Sequence, residues 1–109
     1  MELITYEDFK KLDLRVAEVL EAREHPNADK LLVLKIRVGD LEKQIVAGIK
    51  AHYAPEQLQG MKIVIVNNLQ PVTLRGEESQ GMLLAASHEG EGLAVLIPEK
   101  PLSSGATVR

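Results

Sequence analysis

The feature that most constrains the fold is a period-two alternation of apolar residues, because this pattern is typical of half-buried β-strands. In Leu32–Val38 every second residue is apolar, and Lys35 and Arg37 lie at positions between them. Met61–Val66 contains the β-branched run Ile-Val-Ile-Val, a composition that favours a second strand. These two segments predict a protein that is built mainly from strands.

The opening segment predicts a short helix, because Thr5 can cap it and Asp8 follows three residues later. Asp13–Arg23 fits one face of a helix and also a long strand with a bulge. Its β-branched residues and the strands that follow favour the strand. Pro55–Leu58 predicts a helix of one or two turns, since proline suits the first helical position. Shorter strands are predicted at Gln44–Ala47, Ser79–Ala86 and Leu93–Ile97.

The order of these elements predicts an all-β fold. Five short strands, with a short helix between the third and the fourth, follow the plan of the OB-fold, a five-stranded Greek-key barrel. The short N-terminal helix and an extra C-terminal strand are additions to that plan. An SH3-like barrel or another small β-barrel fits the pattern almost as well. No repeat, low-complexity stretch or long linker divides the chain, so residues 1–109 are predicted to form a single domain.

Several classes of function are excluded by what the sequence lacks. Without cysteines there is no disulfide, thiol nucleophile or Cys-ligated metal site. The three histidines lack metal-ligand spacing, and each is interpreted as a surface or turn residue. Ser79 lacks the Gly-x-Ser-x-Gly surroundings of a hydrolase nucleophile. The sequence therefore argues against an enzyme and predicts no catalytic residue, metal or cofactor.

The sequence also argues against contact with a membrane. No apolar run approaches the roughly 20 residues that a membrane helix requires. The N-terminus carries acids where a signal peptide is basic. A cytoplasmic protein is therefore expected.

The charge of the chain is unevenly distributed. A net charge of −3 argues mildly against nucleic acid as a partner. Between Lys30 and Arg75, however, seven basic residues stand against three acidic ones, and the rest of the chain is strongly acidic. This asymmetry permits a basic face that could attract an anionic ligand.

The segment Pro71–Met82, which joins the fourth and fifth predicted strands, is the main candidate for binding. In an OB barrel this connection flanks the binding face. Arg75 offers a fork of donors that suits phosphate, and Ser79 and Gln80 add neutral donors. The segment can equally be a plain turn with two glycines and an exposed arginine.

The second predicted strand carries further basic residues. Lys30 precedes it, and Lys35 and Arg37 lie on one of its faces, which in an OB barrel forms part of the binding groove. From spacing alone, a solvated outer face explains these residues better. None of the three aromatic residues lies on a strand predicted to face the groove, which argues against stacking of single-stranded bases. Contacts with the phosphates, riboses and shape of a folded RNA fit better.

Several short motifs occur in order along the chain and together resemble one known family. They are Leu12-Asp13-Leu14-Arg15-Val16, His25-Pro26-Asn27-Ala28-Asp29-Lys30-Leu31, Ile45-Val46-Ala47-Gly48-Ile49, Asn68-Leu69, Leu74-Arg75-Gly76 and Ser79-Gln80-Gly81-Met82-Leu83-Leu84-Ala85. The chain closely resembles the tRNA-binding domain shared by three groups of proteins. These are the C-terminal extension of methionyl-tRNA synthetases, free-standing tRNA-binding proteins, and the endothelial-monocyte-activating-polypeptide-like domains of eukaryotes. The resemblance spans Phe9–Arg109.

This resemblance implies an OB barrel that binds tRNA with little sequence discrimination, at the outer corner of the L-shaped molecule. It implies a partnership with a methionyl-tRNA synthetase, either within one polypeptide or as a separate subunit. For two of the implied binding residues, Gly81 and Met82, a structural role explains the motif equally well, in the backbone of the loop and in the core. The binding residues that it implies are Lys30, Lys35, Asn68, Arg75, Ser79, Gln80, Gly81 and Met82.

The resemblance also implies a homodimer formed by Leu3–Leu12 and Leu93–Val108. The residues themselves favour this, because Leu93–Ile97 is apolar at every position and one barrel covers only one face of a strand. Alternatively, the N-terminal helix covers that strand within one chain. The predicted interface residues are Leu3, Phe9, Leu93, Val95, Ile97 and Leu102.

One departure from the family pattern concerns charge. Gln70, Val72 and Thr73 stand where the family usually carries lysines or arginines. This implies weak tRNA affinity, or reliance on a dimer or a fused synthetase. It also keeps open a second interpretation, the related dimeric chaperone-like proteins associated with bacterial export, which would act by binding other proteins. Those relatives usually lack the His-Pro-Asn-Ala-Asp-Lys motif and therefore rank second.

Overall fold

The computed structural model describes residues 1–109. The elements follow one another as α1 (Tyr6–Phe9), β1 (Leu14–Glu24), β2 (Leu32–Val38), β3 (Leu41–Ala47), α2 (Pro55–Leu58), β4 (Lys62–Val66), β5 (Val72–Leu74), β6 (Glu77–Ser79), β7 (Met82–Leu83), β8 (Ala85–His88), β9 (Gly92–Val95) and β10 (Thr107–Val108). Each helix has four residues, so neither is long enough to cross a membrane.

Six strands form one antiparallel sheet in the order β3-β2-β1-β4-β7, with β10 paired to the start of β1. The long strand β1 allows this sheet to curl. Its first part, Leu14–Glu18, pairs with β4, and its second part, Glu18–Glu24, pairs with β2. The register shifts between Val19 and Glu21, which is the bulge expected in this segment. A bulge bends its strand and increases the local twist.

The curled sheet closes into a barrel through one backbone bond and several side-chain bonds, because no strand ladder joins β3 to the β6–β7 segment. The N–H of Gln80 donates to the carbonyl of Gln44 at 2.8 Å, and Gln80 Oε1 accepts from the Gln44 N–H at 3.0 Å. One residue earlier, Ser79 Oγ accepts from the Val46 N–H at 2.9 Å and donates to the Gly81 carbonyl. These bonds take the place of a strand pair, so closure of the barrel depends on Ser79 and Gln80.

The hydrophobic core fills the inside of the curled sheet. Fourteen buried apolar residues form one cluster, drawn mainly from β1, β2, β3 and β4 with single residues from α2, β7 and β9. Leu32, Leu34 and Ile36 are fully buried, as the alternation predicts, and Val33 between them is buried too. The prediction of an all-β barrel of the OB type with two short helices is confirmed.

The bounds of two predicted strands are wrong for reasons that lie in the backbone. The third strand begins at Leu41 instead of Gln44, because Gly39, with a φ of 63°, completes a tight turn that brings β3 alongside β2 at once. The expected strand Ser79–Ala86 is divided into β6, β7 and β8. It breaks at Gly81, which packs so closely on the Val66 carbonyl that an added Cβ would lie 3.0 Å from the oxygen.

Two further predictions about the second half of the chain also need correction. The predicted loop Pro71–Met82 contains a two-stranded hairpin, β5–β6, that the sequence did not predict. The last predicted strand ends at Val95 and not at Ile97, and it pairs with β8 outside the main sheet. Both hairpins are short and belong to separate two-stranded sheets, so no long alternating pattern marks them.

A polar network joins both chain ends to the barrel. Asp13 accepts from Arg15 Nε at 2.6 Å and from Asn67 Nδ2 at 2.9 Å. The Asn67 bond, followed by the Arg15 bond, holds the pKa of Asp13 below its ordinary value. Arg15 also donates to the Gly105 carbonyl in the C-terminal tail at 3.1 Å. Helix α1 precedes this network and is capped as predicted, since Thr5 Oγ1 accepts from the Asp8 N–H at 3.0 Å.

Candidate nucleic-acid interface

The turn after β1 and the tip of the β5–β6 hairpin lie against each other through His25. This side chain is 5% exposed and makes two hydrogen bonds. Its Nδ1 accepts from the backbone N–H of Asn27 at 2.9 Å, so the ring proton lies on Nε2. Nε2 then donates to the carbonyl of Leu74 at 2.8 Å. His25 therefore joins the His-Pro-Asn-Ala-Asp-Lys motif to the Leu-Arg-Gly motif, which lies 49 residues later in the chain.

Arg75 lies at the exposed tip of this hairpin in an unusual backbone conformation. The two turn residues both have positive φ, 55° for Arg75 and 95° for Gly76. This is the pattern of type I′ turns, in which asparagine or glycine is preferred at the first position. Arginine in that conformation costs on the order of 1–3 kcal/mol. Strained residues of this kind cluster at catalytic and ligand-binding sites.

The guanidinium of Arg75 contacts the facing turn and remains accessible to solvent. Its Nε and Nη2 donate to the carbonyl of Asn27 at 3.3 and 3.2 Å, and Asn27 Nδ2 donates back to the Arg75 carbonyl at 3.4 Å. Lys30 is exposed three residues farther along the same turn. The ion pairs of the protein include neither Arg75 nor Lys30. We call the turn after β1 (residues 25–30) and the tip of the hairpin (residues 74–76) the loop pair. It presents two cations, Arg75 and Lys30, that no carboxylate neutralises.

The return strand of the hairpin is anchored through Glu77. Glu77 Oε1 accepts from Arg23 Nη2 at 2.9 Å and from Gln44 Nε2 at 3.2 Å. Gln44 Nε2 also donates to the Glu78 carbonyl at 2.9 Å. These bonds tie the start of β6, directly after the turn, to the end of β1 and the middle of β3, so the β6 side of the hairpin tip is anchored to the barrel.

A polar groove of about 570 Å³ crosses the neighbouring faces of β1, β2 and β3. Lys35 lies in it, is half exposed and pairs with Glu42 at 3.3 Å. Lys43 also lines it, but its Nζ donates to the side chain and carbonyl of Asn67 at 2.8 and 2.9 Å. Exposed ion pairs such as that of Lys35 contribute little and give way readily to another anion. The groove therefore continues the charged surface of the loop pair with a weaker basic character.

The remaining predicted binding residues serve the fold. Ser79 is 3% exposed and Gly81 is buried, so both offer little surface to an RNA, and this burial argues against direct contact. The side-chain oxygen of Gln80 already accepts a hydrogen bond from the Gln44 N–H. Asn68 accepts from the Asp13 N–H at 2.9 Å and donates to the Lys11 carbonyl at 2.7 Å, and thereby holds the segment after α1.

Met82 is half exposed beside a second groove of about 280 Å³, which has a mostly apolar lining. This groove runs between the β5–β6 hairpin and the ends of β3 and β7. Leu69 and Val72 are the other large apolar side chains that it exposes.

The sequence reasoning missed three residues that organise the loop pair. His25 lies in the turn, which agrees with one of the two interpretations from the sequence, but it is buried and bonded to a distant carbonyl, which the sequence did not indicate. Asn27 and Arg23 were not singled out. The His-Pro-Asn-Ala-Asp-Lys motif was the available signal for His25 and Asn27, and Arg23 had none, because the partners of all three lie about fifty residues away in the chain.

An apolar surface lies on the terminal segments, as the predicted dimer requires. Leu3, Ile97 and Leu102 are 83%, 55% and 49% exposed. Phe9 and Leu93 are half-buried. Val95 belongs to the core, which argues against its prediction as an interface contact. Helix α1 leaves Ile97 exposed, and the alternative in which it covers the last strand within one chain is therefore wrong.

The fold and this surface together define a class of protein. A small antiparallel β-barrel whose β1–β2 turn and β4–β7 connection meet beside the open face of β2 and β3 is an OB-type binding domain. Residues 14–107 match the family described as "Putative tRNA binding domain", and the chain belongs to this family. The predicted resemblance is confirmed, and so is the prediction of a tRNA-binding domain that corresponds to a non-catalytic part of methionine–tRNA ligase.

Comparison with individual proteins places the chain among relatives of synthetases. The methionine–tRNA ligase of Thermococcus kodakarensis is 51% identical over 109 residues, which are 100% of this chain and 15% of the ligase. A MetRS-related protein from Pyrococcus horikoshii has a TM-score of 0.94 and 35% identity, covering 100% of both chains. The chaperone CsaA from Bacillus anthracis has a TM-score of 0.89 and 34% identity over 99% of this chain and 100% of its own. The chain thus spans about 15% of the length of the ligase that it resembles.

Proposed function

We propose that residues 1–109 act as one non-catalytic tRNA-binding module that assists a methionyl-tRNA synthetase in the cytoplasm. The synthetase is part of the same polypeptide or a separate subunit. The observation that carries the proposal is Arg75, an unpaired cation that the hairpin holds at an exposed tip despite its positive φ. Family membership and similarity to a methionine–tRNA ligase support tRNA as the anion that it meets.

The chemistry of the surface favours binding with little sequence discrimination. Arg75 and Lys30 suit phosphate oxygens, and contacts with phosphates position an RNA without reading its bases. The groove face offers no aromatic side chain on which a base could stack. We therefore propose Lys30, Lys35 and Arg75 as direct contacts with the tRNA backbone, and Ser79, Gln80 and Gly81 as the closure that supports the hairpin.

A gel-shift titration with bulk tRNA tests the proposal. We expect binding at low salt that weakens steeply as salt increases, because each phosphate contact releases counterions. Purified tRNAs of different sequence should compete about equally. Absence of binding below about 50 mM salt would exclude tRNA as the ligand of the isolated domain.

We also propose that the domain is a homodimer. Large apolar side chains on the terminal segments are exposed, and monomeric proteins rarely leave such a surface uncovered. Two copies related by a two-fold axis would cover it and place two basic loop pairs on one particle.

Sedimentation equilibrium at micromolar concentration tests the dimer. A mass near twice 12.0 kDa is expected for the wild-type protein. Ile97→Asp should lower the mass to that of one chain, whereas Val72→Asp, at a residue that is similarly exposed on the hairpin, should leave it unchanged. A wild-type mass near that of one chain would exclude the dimer.

A protein-binding or chaperone-like function is the second candidate, and one observation favours it. The apolar groove exposes Leu69, Val72 and Met82, which could hold apolar side chains of a peptide. The similarity to the chaperone CsaA points the same way. A labelled unfolded peptide that binds this domain, with Val72→Asp abolishing the binding and tRNA failing to compete, would favour the second candidate.

A further inference from the structure

The hydrogen bonds of His25 connect the two loops that carry the unpaired cations. His25 itself is not among the proposed tRNA contacts. We propose that His25 is a positioning residue: it holds the tip of the β5–β6 hairpin so that Arg75 is presented to tRNA phosphate. This inference rests on the proposed function, since it assumes that Arg75 contacts tRNA.

The β6 side of the hairpin tip is held through Glu77, and the strongest bond on the β5 side is the contact between His25 and Leu74. It spans 2.8 Å and comes from a side chain that is 5% exposed. The other bonds between the tip and the facing turn involve Asn27 and Arg75, span 3.2 to 3.4 Å and are exposed to solvent. A buried hydrogen bond keeps its strength because water does not compete for it. The His25 bond is therefore the main restraint on the β5 side of the tip, the side that leads into Arg75.

The hairpin needs such a tether. Its strands have three residues each, and a two-stranded hairpin of this size is marginally stable without support. Glu77 anchors the β6 side of the tip, but the β5 side, where Leu74 leads into the strained turn at Arg75, is held only by His25 and by the exposed bonds with Asn27. A tip that moves freely must be ordered when RNA binds, and this ordering lowers affinity.

The hydrogen bonds of the two ring nitrogens can be tested separately, because the glutamine side chain is one methylene longer than that of asparagine and the two amides overlap different ring nitrogens. In His25→Gln the amide nitrogen reaches the position of Nε2 and can still donate to the Leu74 carbonyl. In His25→Asn the amide oxygen reaches the position of Nδ1 and can still accept from the Asn27 N–H, but the bond to Leu74 is lost. We expect the glutamine variant to keep tRNA affinity within about threefold and the asparagine variant to lose about tenfold.

A double-mutant cycle with Arg75→Asn separates positioning from general destabilisation. If His25 acts through Arg75, His25→Asn should lower tRNA affinity about tenfold in the wild-type background and less than about twofold in the Arg75→Asn background. Its effect on thermal unfolding should be the same in both. Equal losses of affinity in the two backgrounds would overturn the proposal, and so would wild-type affinity in His25→Asn. Absence of tRNA binding by the wild-type protein would instead overturn the proposed function.

One measurement on the wild-type protein keeps the proposal testable if His25→Asn does not fold. The proposal requires that the ring proton lies on Nε2, because only then can His25 donate to the Leu74 carbonyl. Imidazole ¹⁵N shifts of the wild-type protein, free and with tRNA, should show this tautomer in both states. A proton on Nδ1 in the free protein, or a change of tautomer on tRNA binding, would overturn the proposal.

Discussion

The two halves of the Pro71–Met82 segment use their polar residues in opposite ways. At the tip, Arg75 is exposed, lacks an ion-pair partner and has a strained backbone. At the base, Ser79 is buried, and the polar atoms of Ser79 and Gln80 are bonded across to β3. A single run of motif residues therefore divides into a part that offers an unpaired charge and a part that closes the barrel. Membership of a motif does not by itself separate a contact residue from a structural one.

The largest effect is expected at the base of the segment. Ser79→Ala leaves the buried N–H of Val46 without its partner, and we expect a loss of about 1–3 kcal/mol in the free energy of unfolding. Chemical denaturation measures this. Ser87→Ala, at an exposed serine on β8, should change stability little. A loss of tRNA affinity in fully folded Ser79→Ala, without loss of stability, would contradict the division between tip and base.

A change at the tip should lower tRNA affinity without lowering stability. Arg75→Asn places a residue that the type I′ turn prefers, so stability should increase by up to about 1 kcal/mol. The same change should lower tRNA affinity about tenfold, and the slope of log K against log salt should decrease in magnitude by about one unit. Salt-dependent tRNA titrations and denaturation measure both effects.

Arg37→Asn is the matched control for Arg75→Asn, because it removes one arginine whose guanidinium is already bonded to Glu18. It should leave the salt slope unchanged. Equal slopes for the wild-type protein and Arg75→Asn would mean that the tip does not contact phosphate.

Charge added beside the tip should strengthen binding by a smaller amount. Gln70, just before the segment, and Thr73, within it, are exposed and lie within five residues of Arg75 in the chain, and lysines there would join the existing cations. We expect Gln70→Lys with Thr73→Lys to raise tRNA affinity severalfold and to steepen the salt slope by up to about two units. Placing two lysines on β8 instead, at Ala85 and Ser87, controls for net charge. If both double variants gain equally, the effect belongs to the whole molecule and not to the tip.

The smallest effect is expected at Asp13, in the network that holds the chain ends and lies outside both halves of the segment. Its pKa is lowered in the folded protein from an ordinary 3.8, chiefly by the Asn67 bond and then by the Arg15 bond. The ionised carboxylate therefore stabilises the fold above about pH 4, and this contribution is lost as pH falls through the lowered pKa.

Denaturation midpoints measured from about pH 6 to about pH 2 test this expectation. The wild-type curve should fall more steeply below about pH 4 than the curve of Asp13→Asn, while tRNA affinity near neutral pH should be similar. Asp40→Asn, in the exposed turn after β2, should follow the wild-type curve. Parallel curves for the wild-type protein and Asp13→Asn would show that the network does not support the fold.

The strand order was largely predictable because its signal is local. The alternation in Leu32–Val38 and the β-branched run in β4 report which face of each strand meets the core. The β5–β6 hairpin was missed because each of its strands has only three residues, too few for a pattern to show. Arg75 was singled out correctly as an exposed cation in a loop, whereas the positive φ that makes it informative depends on the turn that the hairpin imposes.

By itself the sequence determined the all-β class, the order of the main strands, the lack of thiol chemistry and the concentration of basic residues between Lys30 and Arg75. These properties depend on residue type and on neighbours a few positions apart. Only the tertiary structure decided that Ser79 lies inside the barrel and that His25 joins two loops. Their partners, Val46 and Leu74, are 33 and 49 residues away. A hydrogen bond needs two groups within about 3 Å, and only the folded chain brings such distant residues together.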